Sequence, residues 1–239
     1  MSQRVLCVSS GAVSRLYHSN PTGWFCSEPD ELEDFRKLVQ ARSYFIARDR
    51  AEQDDGYVQL ISYCVIASGP RILCLERSAD SSRTELKSKW TSMFGGHVDE
   101  EDRLQNSWQA VINGVKREIK EELGIHINGH TPHFAGLAID PTNQTGRLHI
   151  GVIFCYSVPD SGVRLTADLD LAEFNVLKGG IVHFFSRREI LPIQDQFDPW
   201  STLFLRSDFL RQHFHSDMYD SDDLPLLQSA NKAPPLRST

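Results

Sequence analysis

The stretch that most constrains this chain runs from Asn106 to Gly124. Trp108, Val111, Val115 and Ile119 recur at helical spacing and predict a helix with one buried stripe. Asn106 is placed to cap its start, and Gln109, three residues on, completes a capping-box pattern. Gly124 stands where a left-handed residue ends a helix. Gly114, in mid-helix, lowers helicity and so implies close packing against neighbouring backbone. On another face Glu118, Glu121 and Glu122 stack three carboxylates a turn apart. Like charges so placed repel by roughly a few tenths of a kcal/mol per pair. A hard divalent cation, Mg²⁺ or Mn²⁺, would relieve that repulsion, because such ions take carboxylate oxygens.

Around this helix the sequence alternates β-like runs with polar loops. Val5 to Val8 suits a short strand. Ser27 is placed to cap a helix that carries Leu32, Phe35, Leu38 and Val39. Residues 41–55 are charged and mixed and show no period. Tyr57 to Ala67 is rich in β-branched and aromatic residues and reads as a largely buried strand. Ser68-Gly69-Pro70 breaks it, and Arg71 to Arg77 is the expected returning strand. A polar loop from Asp80 to Lys89 and a short strand from Trp90 to Phe94 lead into Gly95-Gly96-His97, followed by the acidic run Asp99 to Asp102. Three more strand-like runs follow, His133 to Ile139, Leu148 to Val158 and Ile181 to Phe185; the turn-rich segment 141–146 joins the first two. Asp198-Pro199 opens a last helix with Trp200, Leu203, Phe204 and Leu210 on its buried side. From about Asp217 the chain turns polar and proline-containing, as an unstructured tail would.

Bulk properties narrow the function classes. A net charge of −7 argues against a general nucleic-acid-binding surface, yet leaves room for a small phosphate ligand held through a metal. Cys7, Cys26, Cys64, Cys74 and Cys155 are odd in number and form no CxxC pair, which fits reduced thiols in a cytoplasm. No apolar run reaches the ~20 residues that a membrane span needs. Met1 to Val13 is too short and polar for a signal peptide.

A glycine pair followed by Arg117-Glu118-Ile119-Lys120-Glu121-Glu122-Leu123-Gly124-Ile125 resembles the Nudix box. That pattern runs Gly, five residues, Glu, seven residues, then Arg-Glu-apolar-x-Glu-Glu-x-Gly-apolar. Its second half is matched in full, and Gly96 matches its glycine. The halves stand seven residues further apart than the pattern has them, since Gly96 and Arg117 are 21 positions apart rather than 14. Counted back from Arg117, the first Glu position holds Gln109, and an acid from Asp99 to Asp102 is the expected substitute. Further features resemble the Nudix branch of phosphoesterases with a Gly-Gly-His turn: Ala51-Glu52, Gln59 to Tyr63, Phe94 to Val98, Gly146 to Gly151 and Trp200-Ser201.

The resemblance implies an α/β fold, a Nudix-type α/β/α sandwich with a mixed central sheet. Residues 1–50 would form an N-terminal extension, 51–216 the catalytic domain and 217–239 a flexible tail. It further implies hydrolysis of a diphosphate in a nucleoside-diphosphate-linked or similar small molecule by metal-activated water. Glu118, Glu121, Glu122 and the Gly96 carbonyl would then be metal ligands, with Arg117 orienting a neighbouring Glu. Gly95, Gly96 and His97 would meet the phosphorylated substrate, and the base would be Glu118 or a carboxylate of the acidic loop. Two other functions share the architecture: a binding module without turnover, and an isopentenyl-diphosphate-type isomerase. The isomerase needs a cysteine beside the Gly-His turn, where Phe94-Gly95 stand instead. Bland readings compete for single residues. His97 and His149 suit hydrogen-bonded turn or strand histidines, Trp200 and Trp90 suit packing, and the cysteines suit inert small hydrophobes. A homodimer is left open.

Overall fold

Strand β4 (Tyr57–Ser68) is the spine of the computed structural model, which describes residues 3–18, 22–77, 88–127, 131–158, 174–175 and 184–214. Its alternation sends Leu60, Cys64 and Ile66 to one face and Ile61, Tyr63 and Val65 to the other. β10 (His149–Ser157) runs parallel to it, with Gln59 opposite His149 and Ile61 opposite Gly151. β9 (His133–Ile139) is antiparallel to β10, and β2 (Trp24–Cys26) is antiparallel to β9. The other edge of β4 is shared by three antiparallel strands: β1 (Arg4–Ser9), β8 (Phe94–His97) and β5 (Arg71–Leu73). β3 (Tyr44–Ala47) pairs with β1, and β12 (Phe184–Ser186) with β5. The result is a mixed sheet, nine-stranded among the described residues. A second, three-stranded sheet joins β6 (Leu75–Arg77), β7 (Trp90–Thr91) and β11 (Phe174–Asn175).

Helices cover both faces. α1 (Ser10–His18), α2 (Pro29–Arg42) and α4 (Ser107–Leu123) bury Val13, Leu32, Phe35, Val39, Trp108, Val111, Val115 and Ile119 in one core with Leu60, Cys64 and Ile66. α7 (Pro199–Leu205) and α8 (Asp208–His213) bury Phe204, Leu205, Phe209 and Leu210 against Val65 and Ile153 on the opposite face. The short helices α3 (Arg48–Ala51), α5 (Gln144–Arg147) and α6 (Arg187–Ile190) punctuate the connections. This is the expected α/β/α sandwich. The segment expected as an N-terminal extension supplies β1, β2 and β3 to the same sheet.

Several elements depart from the sequence reading. Glu28 rather than Ser27 occupies the cap position of α2, with Pro29 opening the helix, where its missing N–H costs nothing. The single strand expected over Arg71 to Arg77 divides at Cys74 into β5 and β6, which enter different sheets. The strand expected over Trp90 to Phe94 also divides, and β8 runs through the glycine pair to His97. The loop 141–146 contains the start of α5, whose N–H of Gly146 is capped by Asn143. The last helix is two helices, separated at Arg206-Ser207. Asp198 caps α7 as expected. Residues 80–87, 181–183 and 217–239, expected as loop, strand and tail, lie outside the described residues.

Candidate active site

Helix α4 forms where local signals place it. The Asn106 side chain accepts the N–H of Gln109, and Gly124 ends the helix in the left-handed region at φ 65°. Gln109 does not close a capping box; its amide donates to Asn113 instead. Asn113 in turn donates to the carbonyl of Asp102, which ties the inserted stretch back to the helix. Gly114 is a close-packing point, but its nearest neighbours are side chains rather than the backbone that its position implied. A Cβ there would lie 3.0 Å from Asp102 Oδ2 and 3.2 Å from Ser62 Oγ.

Arg117 is the hub of the site. Its Nε and Nη2 donate to the two oxygens of Asp102, each at 3.0 Å, a bidentate fork. Nη2 also donates to the His97 carbonyl at 3.0 Å, and Nη1 to Glu118 at 2.8 Å and Glu121 at 3.1 Å. Asp99 stands 3.7 Å away. Burial alone would lower the Arg117 pKa, but the hydrogen bond to Asp102 and the surrounding carboxylates outweigh it and raise it. Burial raises the Glu118 pKa, partly opposed by Arg117, and burial also raises that of Asp99.

The glycine pair faces these carboxylates with bare backbone. The Gly95 N–H donates to Glu122 Oε2 at 2.9 Å. A Cβ on Gly96 would lie 2.6 Å from Glu118 Oε1, so only glycine lets that carboxylate rest on the strand. Glu118, Glu121 and the His97 carbonyl come together on Arg117, while Gly95 and Gly96 lie against Glu122 and Glu118. The His97 side chain does not join them. It lies on the other face of the sheet, 3.1 Å from Gln59 Oε1 and edge-on to His149.

Sequence reasoning placed the substitute acid within Asp99 to Asp102 without singling out Asp102. Its side chain is 5% exposed, because Arg117 and the Asp99 N–H satisfy it. Counting forward from Gly96 would have found it. The pattern places its first acid six positions on, and 96 + 6 = 102. The seven extra residues then fall between Asp102 and Arg117, and the fold closes over them.

The donors are all oxygens, which fits a hard divalent cation, and Glu118 and Glu121 already share one nitrogen of Arg117. Among the described residues no group of three or more His, Cys, Asp or Glu side chains is drawn close enough to hold a metal ion. The carboxylates are thus gathered by a guanidinium in this structure.

Comparison with solved structures settles the fold. Tm1382, described as a candidate Nudix hydrolase, superposes with a TM-score of 0.65 at 22% identity, over 87% of this chain and 99% of that one. The chain has the Nudix fold. Over 128 residues it is also 27% identical to the protein YmaB of Bacillus subtilis (strain 168), a stretch that covers 53% of this chain and 62% of YmaB. No family model matches the chain. No helix among the described residues is long and apolar enough to cross a membrane.

Proposed function

We propose that this chain is a Nudix hydrolase that cleaves a diphosphate or related phosphoanhydride bond in a nucleoside-diphosphate-linked or similar small molecule, with Mg²⁺ or Mn²⁺ as cofactor. The supporting observation is the Arg117 fork, which gathers Asp102, Glu118 and Glu121 beside the bare backbone of Gly95 and Gly96. Glu118, Glu121, Glu122 and the Gly96 carbonyl would hold the cation, which when bound neutralises phosphoryl charge and acidifies a water.

The chain's own residues do the rest. Asp102 fixes the guanidinium, and the guanidinium fixes Glu118 against Gly96, so the carboxylate is oriented before substrate arrives. Glu118 is the proton acceptor we assign, because Arg117 holds its carboxylate in place against Gly96. Glu122, bonded to the Gly95 N–H, holds the turn that faces the phosphates. A cytoplasmic location belongs to the same proposal. The rival reading, a binding module without turnover, drew on Gln109 and the seven-residue insertion; Asp102 at the fork supplies an acid in place of Gln109, and the insertion stands.

The test is phosphate release from a panel of diphosphate compounds with Mg²⁺ or Mn²⁺. Release should fall at least about 100-fold in Glu121→Gln and Glu122→Gln, variants whose circular dichroism stays native. A panel without turnover at any metal or pH overturns the proposal.

A further inference from the structure

The sequence features outside the box, Gln59 to Tyr63, Gly95-Gly96-His97, His149 to Gly151 and Trp200, lie far apart in the chain. The fold brings Gln59, Ile61, Tyr63, His97, His149, Gly151 and Trp200 from these features to one place, on the sheet face opposite α4. Side chains alternate along β4, so Gln59, Ile61 and Tyr63 share a face. His97 is in register with Ile61, His149 with Gln59 and Gly151 with Ile61, which puts all of them on that face. The two imidazoles meet edge to ring, 5.6 Å apart, above β4. Beside them Trp200 lies against Gly151, where a Cβ would stand 2.6 Å from the indole, and meets Tyr63 edge-on at 5.7 Å. Both aromatic rings keep part of their surface in solvent.

Gln59 is the anomaly in this group. It is 0% exposed in the middle of the sheet, where the residue types that alternate with it are apolar. Its Oε1 is 3.1 Å from His97 Nε2, while its Nε2 has no hydrogen-bond partner among the described residues. Leaving such a donor unmatched is destabilising, and an apolar residue of the same shape would avoid the cost. A buried donor of this kind beside half-exposed rings has the chemistry of a recognition site, where the missing acceptor arrives with a ligand.

We propose that Gln59, His97, His149 and the Trp200 ring form the subsite for the non-phosphate end of the substrate, a planar heterocycle bearing a carbonyl or ring-nitrogen acceptor. The acceptor meets Gln59 Nε2, and the plane of the heterocycle packs on the indole. Access needs a rotamer change of one imidazole, which half-exposed rings make readily. The inference rests on the hydrolase reading for the word substrate only. His97 links the two sites: its carbonyl is held by Arg117 on the carboxylate side, and its imidazole is held by Gln59 on the other.

The probes are adenosine, guanosine, cytidine and uridine, titrated calorimetrically without metal into the full chain. One or more should bind, at least about tenfold more weakly to Gln59→Met, and equally to Glu121→Gln on the opposite face. Methionine keeps the length of the side chain and removes the unmatched donor, so the variant should fold; melting curves check this. Equal binding to Gln59→Met overturns the subsite, as does the absence of binding by all four nucleosides. Cleavage of a diphosphate with unchanged kcat/KM in Gln59→Met overturns the subsite and leaves the hydrolase standing. Gln59-dependent nucleoside binding without cleavage of any diphosphate supports the subsite and removes the hydrolase.

Discussion

The two faces of the central sheet handle polar groups differently. On the α4 face Asp99, Asp102, Glu118 and Glu121 surround Arg117, and the network opens to water through Glu121, which is 58% exposed. On the α7 face the buried polar groups include hydroxyls and an amide. Ser201 accepts the Ser92 N–H, lies 3.3 Å from the Thr91 hydroxyl and donates to Asp198, which caps α7. The difference follows from solvation. A charge withdrawn from water costs several kcal/mol unless it is paired, so charges gather where a partner and solvent are both at hand. Neutral groups tolerate full burial once hydrogen-bonded. Chemistry that needs anionic ligands therefore suits the first face, and recognition of a neutral ring suits the second.

The largest effect should come from stranding a charge. Arg117→Met leaves Asp102 buried without its partner and should lower stability by about 3–5 kcal/mol in urea unfolding. Combining it with Asp102→Asn should restore part of that loss, since the two positions are coupled. Additive losses would mean that the fork contributes nothing to the fold.

Two glycines give a direct contrast, because a Cβ on each would stand 2.6 Å from a neighbour. At Gly151 the neighbour is the Trp200 ring, which cannot move without repacking, so Gly151→Ala should cost about 1–3 kcal/mol. At Gly96 it is the end of the Glu118 side chain, which can swing away. Gly96→Ala should change stability by less than about 1 kcal/mol while lowering turnover about 100-fold, since Glu118 is displaced. Equal destabilisation at both positions would erase the distinction between the faces.

Asp198 accepts the N–H groups of Trp200 and Ser201 and the Ser201 hydroxyl. Asp198→Ala should cost about 1–2 kcal/mol, read from the melting temperature. The smallest expected effect is a pH dependence from the α8 side. Burial, with the charge of His213 adding to it, lowers the His133 pKa below 6.5. The unfolded chain then binds the proton more readily than the folded one. Stability is complete above about pH 6.5 and falls as pH drops through the folded value. His133→Phe, which keeps a ring stacked on Phe209, should flatten that slope in stability against pH. A slope unchanged in the variant would assign it to other groups.

The sequence by itself determined what depends on neighbours a few residues apart. The cap, buried stripe and left-handed stop of α4, the carboxylates on its second face, the runs that became β4, β9 and β10, and the Asp198 cap all rest on i to i+4 relations or on a local period. Tertiary structure alone decided the rest. Asp102 reaches Arg117 across an inserted stretch with no local signal for the return. Cys74 divides one apparent strand between two sheets, and residues 4–47 join the sheet through pairings as distant as Trp24 with Ile139. Register with β4 turned the His97 imidazole away from the carboxylates and toward Gln59, although its own backbone stays with Arg117. A one-residue step in a strand exchanges its two faces, and only the packed sheet fixes that step.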